Sequence, residues 1–139
     1  MTVPYEKLRK YPHMMANDID IWERFIAKYP DRFDRVEYDV HVGDAQEIAE
    51  YHAEWMQKVV DAITRFRIDV VGWNGNQPTI IEVKPYAGLS ALGQLSAYQH
   101  FFTRDFPGFP EPSLMLITDS SNPNMETLCK EKGIKLIIV

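Results

Sequence analysis

Cysteine is almost missing from this chain. Cys129 stands alone, which excludes an internal disulfide and a cysteine-based zinc site and suits a reducing compartment. Long apolar runs are missing too. The longest are short, such as Leu136 to Val139, far below the roughly 20 residues of a membrane-spanning helix. No membrane association is expected. The first fifteen residues carry charges but no apolar stretch, so no secretory leader is expected either. There is no internal repeat. Gly-x-Gly-x-x-Gly after a strand, the phosphate-binding Gly-Lys-Ser/Thr loop and Gly-x-Ser-x-Gly are all absent. Runs of lysine and arginine are absent as well, and the net charge is −5. That balance disfavours an extended basic surface for nucleic acid, although it leaves room for a local basic cleft.

What remains is an ordinary α/β chain. Its 139 residues fit one domain, 1–139, with 1–17 as an N-terminal arm. Ile19, Trp22, Phe25, Ile26 and Tyr29 recur at helical spacing behind Asp18 as cap, and Pro30 favours a stop. Val36, Tyr38, Val40 and Val42 alternate with polar residues, which predicts a half-buried strand. Asp44 and Glu47 resemble a capping box for a helix reaching to about residue 64, with Ile48, Tyr51, Trp55 and Val59 as its stripe. Phe66, Ile68 and Val70 alternate with Arg65, Arg67 and Asp69. The turn-rich stretch 73–78 then joins this strand to Thr79–Lys84 as a hairpin. A helix over about 88–102, a strand over 114–118, a helix over 123–132 and a strand over 134–139 complete the order α-β-(α)-β-β-α-β-α-β. A mixed sheet flanked by helices follows from that order. Trp22, Trp55 and Trp73 read chiefly as packing residues, and Cys129 as a buried, inert one.

Chemistry concentrates on the hairpin. Glu82 and Lys84 are two apart and share a strand face, while Ile81 and Val83 face the other way. The turn brings Asp69 opposite, near Glu82. Two carboxylates beside an ammonium are what a hard divalent cation and a phosphoryl group require. The plain alternative is a solvated strand face carrying a Glu–Lys pair.

The stretch RIDVVGWNGNQPTIIEVK resembles the PD-(D/E)XK nuclease pattern of an acid, a hairpin, two apolar residues and Glu-x-Lys. Ile68 replaces the family's proline. In GQLSAY, Gln94 and Tyr98 lie one helical turn apart and resemble the Q-x-x-x-Y motif of RecB-type members. The resemblance spans about residues 36–139. It implies a restriction-endonuclease-like fold and a DNA nuclease using Mg²⁺ or Mn²⁺. It implies Asp69, Glu82 and the Val83 backbone carbonyl as metal ligands, Lys84 serving the attacking water, and Gln94 and Tyr98 bracing the site or contacting the substrate strand. An upstream histidine ligand would be His52, or else His41, and a carboxylate from the first helix would be Glu23. Arg65 and Arg67 are candidates to hold a phosphate. The setting would be the cytoplasm of a bacterial or phage-infected cell, with DNA as partner. The second reading is a non-cleaving docking module in a multi-subunit assembly such as a virion. It would meet protein partners, or further copies of itself, through the N-terminal arm and Phe101–Phe109. The acidic charge favours that reading.

Overall fold

In a computed structural model, residues 1–45, 65–120 and 122–139 are described. The elements are β1 (Val3–Pro4), α1 (Ala16–Lys28), β2 (Arg35–Val42), β3 (Phe66–Asn74), β4 (Gln77–Val83), α2 (Leu89–Asp105), β5 (Ser113–Thr118), α3 (Pro123–Glu131) and β6 (Ile134–Ile138). The helix expected over 44–64, with His52 and Trp55, falls almost wholly outside the described residues. The rest of the expected order is present. Among the described residues no helix is long and apolar enough to cross a membrane.

The six strands form one mixed sheet in the order β1-β2-β3-β4-β5-β6. Strands β1 to β4 are antiparallel, and β5 and β6 run parallel to β4. Each switch has a local cause. Gly75, at φ 59°, supplies the left-handed backbone that a two-residue hairpin loop needs between β3 and β4. Parallel neighbours need crossovers, and α2 and α3 supply them. Asn122 caps α3 by accepting a hydrogen bond from the Met125 N–H at 3.0 Å, and Pro123 follows at the first helical position.

Helices cover both faces. On one, Ile21, Trp22, Phe25 and Ile26 of α1 pack with Val36, Val70, Ile81, Val83, Met115 and Ile117. On the other, Leu92, Leu95, Tyr98 and Phe102 of α2, with Met125 and Cys129 of α3, pack with Val42, Ile68, Val71, Trp73, Ile80 and Leu116. Cys129 is buried, as expected.

The N-terminal segment 1–17 is tied to the rest of the fold. Val3 and Pro4 pair with β2, Tyr11 and Met14 are buried under α1, and the Tyr5 hydroxyl donates to the Tyr29 carbonyl at 2.6 Å. Its aromatic side chains gain more from the core than from water. In Phe101–Phe109, likewise, Phe102 is core and Phe101 and Phe106 pack against it.

One expectation needs correction, and it concerns strand faces. Ile68 and Val70 do not share one, because Ile68 packs under α2 and Val70 under α1. Strand β2 changes over at the matching place, with Val36 and Tyr38 on the α1 side and Val40 and Val42 on the α2 side. Register is kept throughout, with Tyr38 opposite Val70 and Val40 opposite Ile68. A regular strand would keep such i, i+2 pairs together. The turnover falls between them, at Asp39 and Asp69, and Asp39 has φ 57°. Asp is among the few side chains that tolerate that region.

Candidate functional site

Strand β4 is the foundation of the site. From Pro78 to Val83 every residue is buried, so its alternate side chains enter opposite layers. Glu82 lies on the Ile80 side, under α2, and is 6% exposed. Lys84 follows at the strand end, where its N–H donates to the Ile117 carbonyl at 3.0 Å. Val70 pairs with Ile81, and one step further along that register Asp69 faces Glu82. The hairpin thus brings Asp69, Glu82 and Lys84 together.

The electrostatics of this group are unusual. Burial first, then the Asp69 charge, pushes the Glu82 carboxyl up to about 8, and Lys84 only partly offsets this. Asp69 is pushed up to about 6, by burial first and then by Asp18 and Asp39, against Lys84 and Arg67. Neither carboxylate takes a hydrogen bond or ion pair from the described residues.

Tyr98 of α2 reaches the same place. Its hydroxyl is pushed up to about 12 by burial and then by Glu82 and Asp69. Gln94 lies one turn earlier, and its Oε1 is the buried side-chain oxygen without a hydrogen-bond partner among the described residues. An orphaned acceptor of this kind costs stability and calls for an explanation.

Some expected residues lie elsewhere. Glu23 accepts a hydrogen bond from the Tyr11 hydroxyl at 2.9 Å, so it anchors the N-terminal segment. The carboxylate that α1 sends toward the site is Asp18. Asp18 was expected to cap the helix, but Met15 holds that position and Asp18 lies in the first turn. Burial raises the Asp18 carboxyl, while a hydrogen bond from the Met15 backbone and the charge of Lys84 lower it.

Arg65 donates to the carbonyls of Gly43 at 2.9 Å and His41 at 3.2 Å, and so ties β3 to the end of β2. Arg67 donates through two nitrogens to the two oxygens of Asp39, both at 2.7 Å. His41 and His13 approach the same Asp39 carboxylate at 3.4 and 3.6 Å. His41 therefore belongs with Asp39. His52 lies outside the described residues.

Asp39 was expected only as one of the polar residues alternating along β2. The signal was an Asp in the middle of a Val/Tyr strand, where its strand propensity is poor. Trp73 packs, as expected. It lies 4.8 Å from the Phe109 ring and donates to Glu37 at 3.1 Å.

Among the described residues no group of three or more His, Cys, Asp and Glu side chains is gathered so as to hold a metal ion. A cation here would rest on two carboxylates, a backbone carbonyl and water. Mg²⁺ accepts such a set, since it keeps several waters and uses one or two carboxylates. The raised carboxyls of Asp69 and Glu82, without a bonded partner among the described residues, fit that use.

Comparison with models of known protein families, with curated proteins and with solved structures finds no match.

Proposed function

We propose that this chain is a metal-dependent deoxyribonuclease of restriction-endonuclease-like fold, hydrolysing phosphodiester bonds at Asp69, Glu82 and Lys84. One observation carries the reading. Buried Glu82 and half-buried Asp69 approach each other across a hairpin, both pushed up, with no bonded partner among the described residues and with Lys84 as a cation acting on both. A fold keeps uncompensated buried charge at a cost, and such clusters concentrate at functional sites. The order of strands and helices, and Gln94 and Tyr98 on the helix after β4, support the same reading.

Asp69, Glu82 and the Val83 carbonyl would hold Mg²⁺ or Mn²⁺. When bound, the ion would polarise a phosphoryl oxygen and make its water more acidic. Lys84 would orient the attacking water and stabilise charge developing on the phosphate. Tyr98 and Gln94 would hold Glu82 and the water in place. Arg67, occupied by Asp39, steadies the strand beside Asp69.

The test is Mg²⁺- or Mn²⁺-dependent cleavage of linear, nicked and single-stranded DNA, lost in Glu82→Ala and in Lys84→Ala. No cleavage of any form at high protein concentration would overturn the reading. It would leave the acidic net charge of −5 to favour a non-cleaving module that binds other proteins.

A further inference from the structure

Beside Lys84 the chain holds an exposed aromatic ring in a costly conformation. Tyr86 is 80% exposed and has φ 48°, a region that side-chain-bearing residues seldom occupy. The turn is held from behind. The Tyr86 N–H donates to Asp119 Oδ1 at 2.9 Å, and the Ala87 N–H donates to Oγ1 of buried Thr118 at 3.2 Å. The end of β5 thus fixes the backbone so that the ring stands out into solvent, two residues from Lys84. An exposed ring gains nothing from burial, so its strained presentation calls for a role outside the fold.

Tyr86 borders a cavity of about 230 Å³ between this turn and the start of α1. Its polar lining is Asn17, Asp20, Arg24 and Asp119. Two carboxylates and one guanidinium make a poor phosphate site, because net negative charge repels the anion. The same groups suit the edge of a nucleobase. Asp20 and Asp119 accept from amino or ring N–H groups, Arg24 donates to ring nitrogens and carbonyls, and Asn17 can do either. Arg24 is already oriented by Asp20 at 3.1 Å and by the Val139 carbonyl at 3.1 Å.

We infer that Tyr86 and this cavity form a slot for one unpaired nucleobase, with its phosphate toward Lys84. The inference rests on the nuclease reading and names its substrate class as single-stranded or frayed-end DNA. A ring can stack only on a base face that is free, and in an intact duplex both faces are covered by neighbours.

The experiment is fluorescence anisotropy without divalent cation, using a labelled oligonucleotide of about 12 nucleotides and its duplex. Cleavage with Mg²⁺ is read in parallel. Tyr86→Ala is expected to weaken single-strand binding about 5- to 100-fold, and Tyr86→Phe to retain it, since stacking needs the ring and not the hydroxyl. The Tyr86 side chain is outside the core, so the melting temperature of both variants should match that of the parent protein.

Equal binding by Tyr86→Ala and the parent, a duplex preference, or no DNA binding by the parent would each overturn the slot. Cleavage that does not depend on Tyr86 would remove the slot and keep the nuclease. Tyr86-dependent single-strand binding without cleavage would keep the slot and remove the nuclease.

Discussion

Asp39 and Asp69 face each other on adjacent strands, and the fold treats them in opposite ways. Burial works to raise the Asp39 carboxyl, but two hydrogen bonds from Arg67 and the nearby cations hold it below the ordinary range. Burial raises Asp69 as well, and there the balance of neighbours adds to it. Across the hairpin Glu82 is in the same position and more deeply buried. The difference separates a carboxylate that serves the fold from two that burden it. A charge-assisted, two-pronged pair stabilises a strand junction. Two facing carboxylates without a bonded partner among the described residues lower stability unless something else uses them.

The largest effect that would break this comparison is on activity. Glu82→Ala or Lys84→Ala should reduce metal-dependent DNA cleavage by at least about a hundredfold, measured by gel assay at matched protein concentration. Variants that cut as well as the parent would show that these charges do nothing chemical.

The next effect is on stability. Glu82→Gln removes a buried charge and keeps the shape, so above pH 8 without metal it should stabilise the protein by roughly 2–3 kcal/mol in urea unfolding. The sign follows from proton linkage. The folded protein binds protons at Asp69 and Glu82 more tightly than the unfolded chain does. The stability tied to these groups is therefore present below pH 4 and is lost as pH rises through about 6 and then about 8. Asp39 acts the other way, contributing stability that is lost as pH falls through its lowered value. Melting temperature from pH 5 to 9 should decline in the parent, and the upper part of that decline should vanish in Glu82→Gln. A flat parent profile would contradict the burial of Glu82.

Smaller, and opposite in sign, is Asp39→Asn. Asn accepts the left-handed backbone that Asp39 adopts, so the change isolates the charge. It should destabilise the protein by about 1–2 kcal/mol at neutral pH, because Arg67 loses its partner. The smallest expected effect is from metal itself. Mg²⁺ or Mn²⁺ at millimolar concentration should raise the melting temperature by about 2–4 °C in the parent and not in Glu82→Gln. An equal rise in both would place the ion elsewhere.

Most of the architecture was legible from local pattern. The periods of two and 3.6, the turn-rich 73–78, and the caps at Asn122 and Pro123 all lie within a few residues of the elements they define. The approach of Asp69 to Glu82 was legible for the same reason, since a short hairpin fixes its own register. The face change at Ile68 and Val70 was not. Perfect alternation in the sequence hid it, because its cause is the backbone of Asp39 on the neighbouring strand and the need to fill two separate layers. Asp18 rather than Glu23 meets the site for a similar reason. Both lie on α1, and only the docking of that helix decides which carboxylate meets Lys84 and which meets Tyr11.

The sequence by itself therefore determined an α/β chain with a carboxylate pair and a lysine on one hairpin, because those features are short-range and periodic. Tertiary structure alone decided which carboxylates are matched. The pairing of Arg67 with Asp39, the burial of Glu82 and the exposure of Tyr86 depend on contacts between residues up to 33 positions apart or on how deeply a layer covers them. Such long-range contacts set burial and local charge, and so they decide where this protein stores its chemistry.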